Sequence, residues 1–178
     1  SASASAADLV VYTYESLAAK GGLGPIVAEA FKKKTGVAVK FVVLGDAGQI
    51  LSRVQLDAER GKPIAQVAFG IDQNLLPKIR SHLVPLDRAR EGSFMKFVDR
   101  EWWLDETFVP FDFGVLAFVA DTKAIPEEDF PKRWSDLTKR RFKKKLLLQD
   151  PRTSSPGFGF VWGSFHWAAK EAGEKFPP

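Results

Sequence analysis

Three short apolar runs stand out in the first seventy residues. They lie at residues 9–14, 37–44 and 65–70 and are rich in β-branched and aromatic side chains. Runs of this length and composition are typical of buried β-strands. We therefore predict three strands in this part of the chain.

Segments with helical periodicity follow each predicted strand. The first begins near Pro25 and ends before Gly36, the second has Ile50, Leu51, Val54 and Leu56–Ala58 on its apolar side, and the third runs through Leu75, Leu76 and Ile79. Pro at a helix start and Gly just after its end are the usual boundary signals. The order β-α-β-α-β-α predicts an α/β fold with a parallel sheet and helices on both faces.

The rest of the chain is less regular. Residues 1–7 are a small-residue tail, which we exclude from the fold. Beyond the first three units the patterns predict helices over 94–103 and 158–172, a helix start at Trp134 capped by Ser135, and strands over 107–120 and 146–149.

Composition excludes several classes of site. The chain has 178 residues, 45% of them hydrophobic and 27% charged, as in ordinary globular proteins. It has no cysteine, so disulfides, thiolate metal sites and cysteine nucleophiles are ruled out. Two histidines, His82 and His166, argue against a histidine-rich metal site or a histidine-based triad. We expect neither a metal nor a cofactor.

The net charge of +4 comes largely from two basic clusters, at residues 32–34 and 139–145. Charge runs of this kind are usually solvated surfaces. No recognised nucleic-acid-binding module surrounds either cluster, so we do not expect a nucleic-acid partner.

Polar side chains follow the predicted strands, where each strand ends. Tyr14 follows the first strand, Asp46 the second and Asp72 the third, while the strand at 146–149 leads into the loop Thr153–Gly157. Open α/β sheets bind their ligands beyond the carboxyl ends of the strands. The sequence therefore predicts a ligand site built from these loops.

Each acidic candidate also has a structural interpretation. Asp46 lies between glycines and suits a turn or helix cap as well as a counter-ion for a ligand. Asp72 is placed to cap the helix after it, or to contact a ligand. Tyr14 suits strand-end packing or a ligand hydrogen bond. Asp112 interrupts an apolar segment and needs a partner, which makes it a structural acceptor or a site residue.

The loop containing Thr153, Ser154, Ser155 and Gly157 precedes a predicted helix. Hydroxyl and backbone N–H groups at a helix N-terminus suit an anion. The structural alternative is a capped helix start shaped by Pro and Gly.

Catalytic motifs are absent from the sequence. It has no Gly-x-Ser-x-Gly, no P-loop and no Gly-x-Gly-x-x-Gly, and nothing forms a nucleophile–base–orienter set. Paired carboxylates among Asp46, Asp72 and Asp112 are the one enzymatic arrangement left open. We do not expect an enzyme.

Four separated blocks, in order, resemble a known family. They are Val11–Ser16, Gly70–Leu76, Asp105–Gly114 and Gln149–Gly157. Together they resemble the thiamine-binding periplasmic proteins of thiamine ABC transporters, which have the two-lobed type II periplasmic binding protein fold. The resemblance runs from about residue 9 to the C-terminus. It departs at Gly21, where the family usually has Trp before the Gly-x-Gly-Pro element.

The resemblance implies a ligand and a set of partners. The ligand is thiamine or a thiamine phosphate, bound without being changed, and the partner of the full-length protein is an ABC transporter permease. Tyr14, Asp46 and the loop Thr153–Gly157 would then line the end of the cleft that receives the hydroxyethyl or phosphate group. The implied location is periplasmic or extracytoplasmic, with the signal peptide absent from this chain.

Family members are much longer than this chain. We therefore expect a first lobe over 8–112 and an incomplete second lobe over 113–178. We expect truncation to leave apolar surface uncovered, favouring a homodimer or domain-swapped oligomer, and to leave a partial site that binds thiamine weakly or not at all. Two alternatives stay open: a receptor of the same fold for an anion, a polyamine or iron, and a stand-alone α/β enzyme or interaction domain.

Overall fold

A three-stranded parallel sheet forms the centre of the amino-terminal part of the chain. The computed structural model describes residues 8–86, 100–103 and 106–173. The strands are β1 (Leu9–Thr13), β2 (Val39–Val43) and β3 (Val67–Ala68), in the order β2-β1-β3. β1 pairs Leu9 with Val39 on one side and Val11 with Val67 on the other. The predicted parallel sheet is confirmed, with strands shorter than the apolar runs.

In the described part of the first unit, four helices accompany this sheet. They are α1 (Glu15–Ala18), α2 (Leu23–Thr35), α3 (Ala47–Glu59) and α4 (Leu76–Ile79), and a 3-10 turn at Arg80–His82 follows α4. Gly36 ends α2 as the sequence predicts. Its φ of +79° lies in the left-handed region that suits glycine, and its N–H donates to the carbonyl of Lys32 at 2.8 Å.

The hydrophobic core beside the sheet joins α3 to α4. Leu51, Leu76 and Ile79 are buried together, and Phe108 packs against them from a later part of the chain. In the sheet itself, Tyr12 of the central strand is 1% exposed. The cluster of Leu51, Leu76 and Ile79 thus packs α3 against α4.

Helix α3 differs from the predicted pattern at one turn. Leu56, predicted on the apolar side, is 38% exposed, while its neighbour Asp57 is only 4% exposed. Asp57 is buried because it has partners: the Tyr12 hydroxyl donates to Oδ2, and Arg53 Nε donates to Oδ1 at 3.0 Å. A carboxylate can be buried when hydrogen-bond donors satisfy it, as these two do here, whereas burying a carboxylate without a partner is strongly unfavourable.

The chain divides into two compact units, Ser1–Phe113 and Gly114–Pro178. In the second unit, α5 (Ser155–Glu171) is the long helix, and 3-10 turns lie at Glu127–Asp129, Trp134–Thr138 and Arg140–Phe142. The turn at Trp134 has Arg133 at its N-cap, so the predicted capping role of Ser135 is wrong. Asp136 serves the turn instead, because its carboxylate accepts the backbone N–H groups of Lys132 and Arg133, each at 2.9 Å.

Two predicted strands are not formed. Among the described residues of 107–120 and 146–149, none belongs to a strand, and Phe108 makes an isolated bridge. A strand requires a hydrogen-bonded neighbour, and the described residues supply none beside these runs. Several of their apolar side chains are exposed to solvent, Val119 and Leu147 at 96% each.

The predicted helix over 94–103 lies largely outside the described residues, of which Arg100–Trp102 form a 3-10 turn. Within the ranges that the structure describes, no helix is long and apolar enough to cross a membrane.

Candidate ligand-binding residues

The carboxyl ends of the three strands lie at one edge of the sheet in the first unit. Leu44 donates its N–H to the carbonyl of Thr13 at 2.9 Å, and Phe69 donates to the carbonyl of Tyr12 at 2.8 Å. These bonds hold the residues that follow β2 and β3 on either side of the end of β1. Parallel pairing thus brings the segments of Tyr14, Asp46 and Gly70 to the same edge.

Tyr14 lies immediately after β1, half-buried, where the chain turns into α1. Its ring centroid is 6.4 Å from that of Phe69, and Phe69 lies 4.1 Å from Phe111. Burial raises the pKa of the Tyr14 phenol, and the negative charge of Asp112 raises that pKa further. The phenol is therefore a neutral hydrogen-bond donor at physiological pH, with an exposed carboxylate near it.

Asp46 occupies the N-cap position of α3, and its side chain is exposed. Its N–H donates to Oε1 of Gln49 at 2.8 Å, and the N–H of Gln49 donates back to the carbonyl of Asp46 at 2.9 Å. Gly45 before it has a φ of +83°, and a Cβ there would lie 1.9 Å from the same Gln49 Oε1. This loop holds an exposed carboxylate on a fixed backbone, in agreement with both interpretations of Asp46.

Asp72 shapes the turn that leads into α4. Its Oδ1 accepts the N–H of Asn74 at 2.8 Å, and its carbonyl accepts the N–H of Leu75 at 3.1 Å. The helix itself has Leu75 at its N-cap. The predicted capping role of Asp72 is therefore wrong: it is a turn former three residues before the observed N-cap, and its Oδ1 is already used by the backbone.

In the second unit, the loop before α5 is held by its own hydrogen bonds. Ser154 is the N-cap: its Oγ accepts the N–H of Gly157 at 3.3 Å and donates to Oε1 of Gln149. Asp150 pairs with the guanidinium of Arg152, whose Nη2 donates to Oδ2 at 2.6 Å. The side-chain hydrogen bonds from Arg152, followed by the one from its backbone N–H, lower the pKa of Asp150 to about 2.

Thr153, Ser155 and Gly157 take different positions around that cap. Thr153 is exposed, Ser155 begins α5, and Gly157 is buried against the preceding loop. A Cβ at Gly157 would lie 2.5 Å from the carbonyl oxygen of Gln149. Glycine is therefore required here by close backbone approach.

A cavity of about 160 Å³ lies in the second unit, lined by Phe118, Pro131, Lys132, Arg133, Trp134 and Leu137. Sites for drug-sized ligands usually have volumes of roughly 300 Å³ or more, so this cavity alone does not enclose such a ligand. In the described ranges, no group of three or more His, Asp or Glu side chains is placed to hold a metal ion.

Sequence reasoning missed the buried pair of Tyr12 and Asp57 and the contact between Gly70 and the Tyr14 ring. A signal for the first exists: a tyrosine inside a buried strand needs a partner for its hydroxyl. The second carried no signal, because a glycine after a strand is usually a turn residue.

Comparison with known proteins is consistent with this architecture. Residues 80–162 match a family described as bacterial extracellular solute-binding protein. The thiamine-binding periplasmic proteins of Salmonella typhimurium and Escherichia coli are each 34% identical to the chain, over 169 and 171 residues. In both cases the match covers 95% of this chain and 49% of the relative.

A solved structure described as a periplasmic thiamin binding protein superposes with a TM-score of 0.69 at 31% sequence identity. The match covers 92% of this chain and 51% of the solved one. The chain thus spans about half the length of the relatives it matches, and the predicted fold class, α/β of the type II periplasmic binding protein kind, is confirmed. By sequence and by fold, this chain is a homologue of the thiamine-binding periplasmic proteins.

Proposed function

We propose that the chain is part of the extracytoplasmic solute-binding component of an ABC importer, and that its ligand is thiamine or a thiamine phosphate. The proposal rests on the edge of the sheet at the carboxyl ends of the strands, where Tyr14, the loop of Asp46 and the ring of Phe69 lie. It is supported by the homology of the chain to thiamine-binding proteins. On this proposal the first unit corresponds to a first lobe and the second unit to part of a second lobe.

The chemistry of the first unit suits this ligand. Thiamine carries a permanent positive charge on its thiazolium ring and a hydroxyethyl arm. Carboxylates and aromatic faces stabilise such a cation, and Asp46, Asp112 and Tyr14 supply these groups. Asp72 is the weakest of the four candidates here, because its Oδ1 is already engaged by the N–H of Asn74.

The loop of the second unit suits a hydroxyl or phosphate group. It precedes a helix of 17 residues, whose first N–H groups and dipole favour an anion. The Ser154 hydroxyl is engaged within the loop, so its role is to shape the loop. The N–H of Gly157 is bonded to Ser154 Oγ, so Gly157 also shapes the loop, and Thr153 and Ser155 are then the proposed ligand contacts.

The proposed activity is binding and release, without chemical change. The relatives are named as binding proteins, and the sequence contains no nucleophile–base–orienter set. We infer that the full-length protein delivers its ligand to a membrane permease from an extracytoplasmic compartment. The exposed apolar side chains of the second unit, Val115, Val119 and Leu147 among them, favour self-association of this chain.

Titration calorimetry with four ligands tests this proposal. Thiamine, thiamine monophosphate, spermidine and inorganic phosphate are each added to the native chain. We expect the two thiamine compounds to bind with a dissociation constant on the order of 1 mM, because the chain spans half of its relatives and offers a partial site. The other two ligands should give no heat of binding in that range.

A charge-matched pair of variants locates the binding. Asp46 and Glu59 lie at opposite ends of α3, and both are exposed. Asp46→Asn should weaken thiamine binding by roughly threefold to tenfold, the value of one hydrogen bond or charge contact, and Glu59→Gln should leave it unchanged. Binding of spermidine or phosphate in place of thiamine would assign the chain to another ligand class. Nanomolar binding of thiamine by the monomer would contradict the partial site.

A further inference from the structure

Gly70 lies under the ring of Tyr14. β1 and β3 are neighbours in the sheet, with Tyr12 paired to Ala68, so the residues two positions further along each chain meet just beyond the strands. A Cβ built on Gly70 would lie 2.2 Å from Cε1 and 2.3 Å from Cδ1 of Tyr14. Real Cβ atoms do not approach other atoms so closely, so any residue but glycine must displace the ring.

The backbone at Gly70 also favours glycine. Its φ of +94° lies in the region that residues with a side chain rarely adopt. The position thus combines a backbone requirement with a steric one. Gly36 has a similar φ of +79°, but a Cβ there would have nothing within 4 Å. Substitutions at Gly70 and Gly36 can therefore be compared to separate the effect of backbone strain from the effect of displacing the Tyr14 ring.

Two phenylalanines extend the contacts of the ring. Phe69 lies beside Tyr14, and Phe111 stands against Phe69 with a centroid distance of 4.1 Å. Phe111 directly precedes Asp112, the carboxylate that acts on the Tyr14 phenol. Three segments of the chain therefore meet at this tyrosine: the end of β1, the end of β3 and the stretch through 111–112.

We propose that Gly70, Phe69 and Phe111 are positioning residues, which hold the Tyr14 ring in one orientation so that its hydroxyl is presented to the ligand. This inference rests on the proposed function, because it assigns to Tyr14 a hydrogen bond to thiamine. Holding a side chain in place before binding lowers the entropy lost on binding and so raises affinity. A tyrosine phenol, whose ordinary pKa is 10.0, keeps its proton as a donor at neutral pH, and burial raises that pKa further.

The first test is the thiamine affinity of Gly70→Ala, with Gly36→Ala as its control. Both substitutions place a side chain at a positive φ, so both should lower the thermal midpoint, Gly70→Ala by more because its Cβ also meets the Tyr14 ring. Only Gly70→Ala displaces the ring. We expect it to weaken thiamine binding between about threefold and tenfold, the value of one lost hydrogen bond, and we expect no change in Gly36→Ala. Equal affinities of the two variants would overturn the inference.

A double-mutant cycle shows whether Gly70 acts through the tyrosine. Tyr14→Ala removes the ring, so adding Gly70→Ala to it should weaken binding no further. Independent sites would instead give effects that multiply. A multiplied loss of affinity in the double variant would show that Gly70 contacts the ligand or the fold by another route, against the inference.

A ligand-free measurement separates this inference from the proposed function. The chain has only two tyrosines, Tyr12 and Tyr14, so carbon-13 labelling of tyrosine rings gives two sets of NMR signals. Gly70→Ala should shift the Tyr14 signals and move its titration midpoint toward the ordinary value of 10.0, while the Tyr12 signals stay in place. Unchanged Tyr14 signals would refute the ring placement. If those signals shift but the native chain binds no thiamine, the proposed function fails and the ligand role of Tyr14 fails with it.

Discussion

The buried hydrogen bond between Tyr12 and Asp57 offers a quantitative test of how the sheet is tied to α3. Tyr12 lies in the central strand and is 1% exposed, and its hydroxyl donates to Oδ2 of Asp57, which is 4% exposed. The guanidinium carbon of Arg53 lies 5.4 Å from the centroid of the Tyr12 ring. Tyr12→Phe removes one hydroxyl and leaves the ring and the backbone unchanged.

The expected loss of stability follows from the hydrogen bonds that the Asp57 carboxylate keeps and loses. After Tyr12→Phe, Asp57 retains the bond from Arg53 Nε but loses its buried donor. A buried acceptor left without its partner costs about 1–3 kcal/mol. With a urea slope of roughly 2 kcal/mol per molar for a small protein, the unfolding midpoint should fall by about 0.5–1.5 M.

Urea unfolding followed by circular dichroism measures this shift. Tyr14→Phe is the matched control: it deletes the same atom from a half-buried ring two residues away, and we expect it to move the midpoint by less than about 0.3 M, because no buried carboxylate loses its donor. Equal midpoints for Tyr12→Phe and the native chain would refute the account of Asp57.

The effect should also depend on pH. The hydrogen bond from Tyr12, above all, lowers the pKa of Asp57 from its ordinary value of 3.8. A carboxyl whose pKa is lower in the folded state stabilises the fold above the unfolded pKa, and that stability is lost as the pH falls through the folded pKa. The difference in the free energy of unfolding between the native chain and Tyr12→Phe should therefore have its full value at neutral pH and shrink below about pH 4. A difference that stays constant down to pH 2 would contradict this cause.

Three further predictions concern the second unit. Lys144 has a φ of +61° without being glycine, so Lys144→Gly should raise the free energy of unfolding by roughly 0.5 kcal/mol, measured by urea unfolding; a loss would show that the turn is unstrained. Gly157→Ala should lower the thermal midpoint, because its Cβ would meet the backbone of Gln149, whereas Gly159→Ala meets only the flexible Leu116 side chain and should cost less. The pKa of Asp136 is lowered to about 2, mainly by the hydrogen bond from Lys139, so its carboxyl carbon should titrate near pH 2 by NMR. The stability that this carboxylate contributes should be full above about pH 4 and should be lost as the pH falls through its pKa of about 2.

Local sequence patterns predicted the sheet because its strands and helices carry their signals within a few residues. The runs at 9–14 and 37–44 have neighbours close along the chain, and Gly36 ends α2 through its own backbone conformation. The runs at 107–120 and 146–149 have the same composition, but a strand also depends on a partner that composition cannot supply. They were predicted as strands and are not formed.

The candidate site likewise has features that the sequence predicts and features that it does not. Strand-end position predicted that Tyr14 and Asp46 lie at one edge of the sheet, because parallel order alone fixes that edge. Contacts between distant residues were not predictable. Residues 56–58 were predicted on the apolar side of α3, but the sequence does not show that Tyr12 is the partner of the Asp57 carboxylate there. Gly70 suggests only a turn residue, and its contact with the Tyr14 ring is visible only in the structure.

Mapping thiamine onto the backbone amides by NMR tests the central claim most directly. The native chain is titrated with thiamine into the millimolar range, where a partial site should saturate. The proposal predicts chemical-shift changes at residues 14, 46, 70–72 and 112 of the first unit and at 153–155 and 157 of the second. No shift at these positions, or shifts confined to other surfaces such as the basic turn at 139–145, would contradict it.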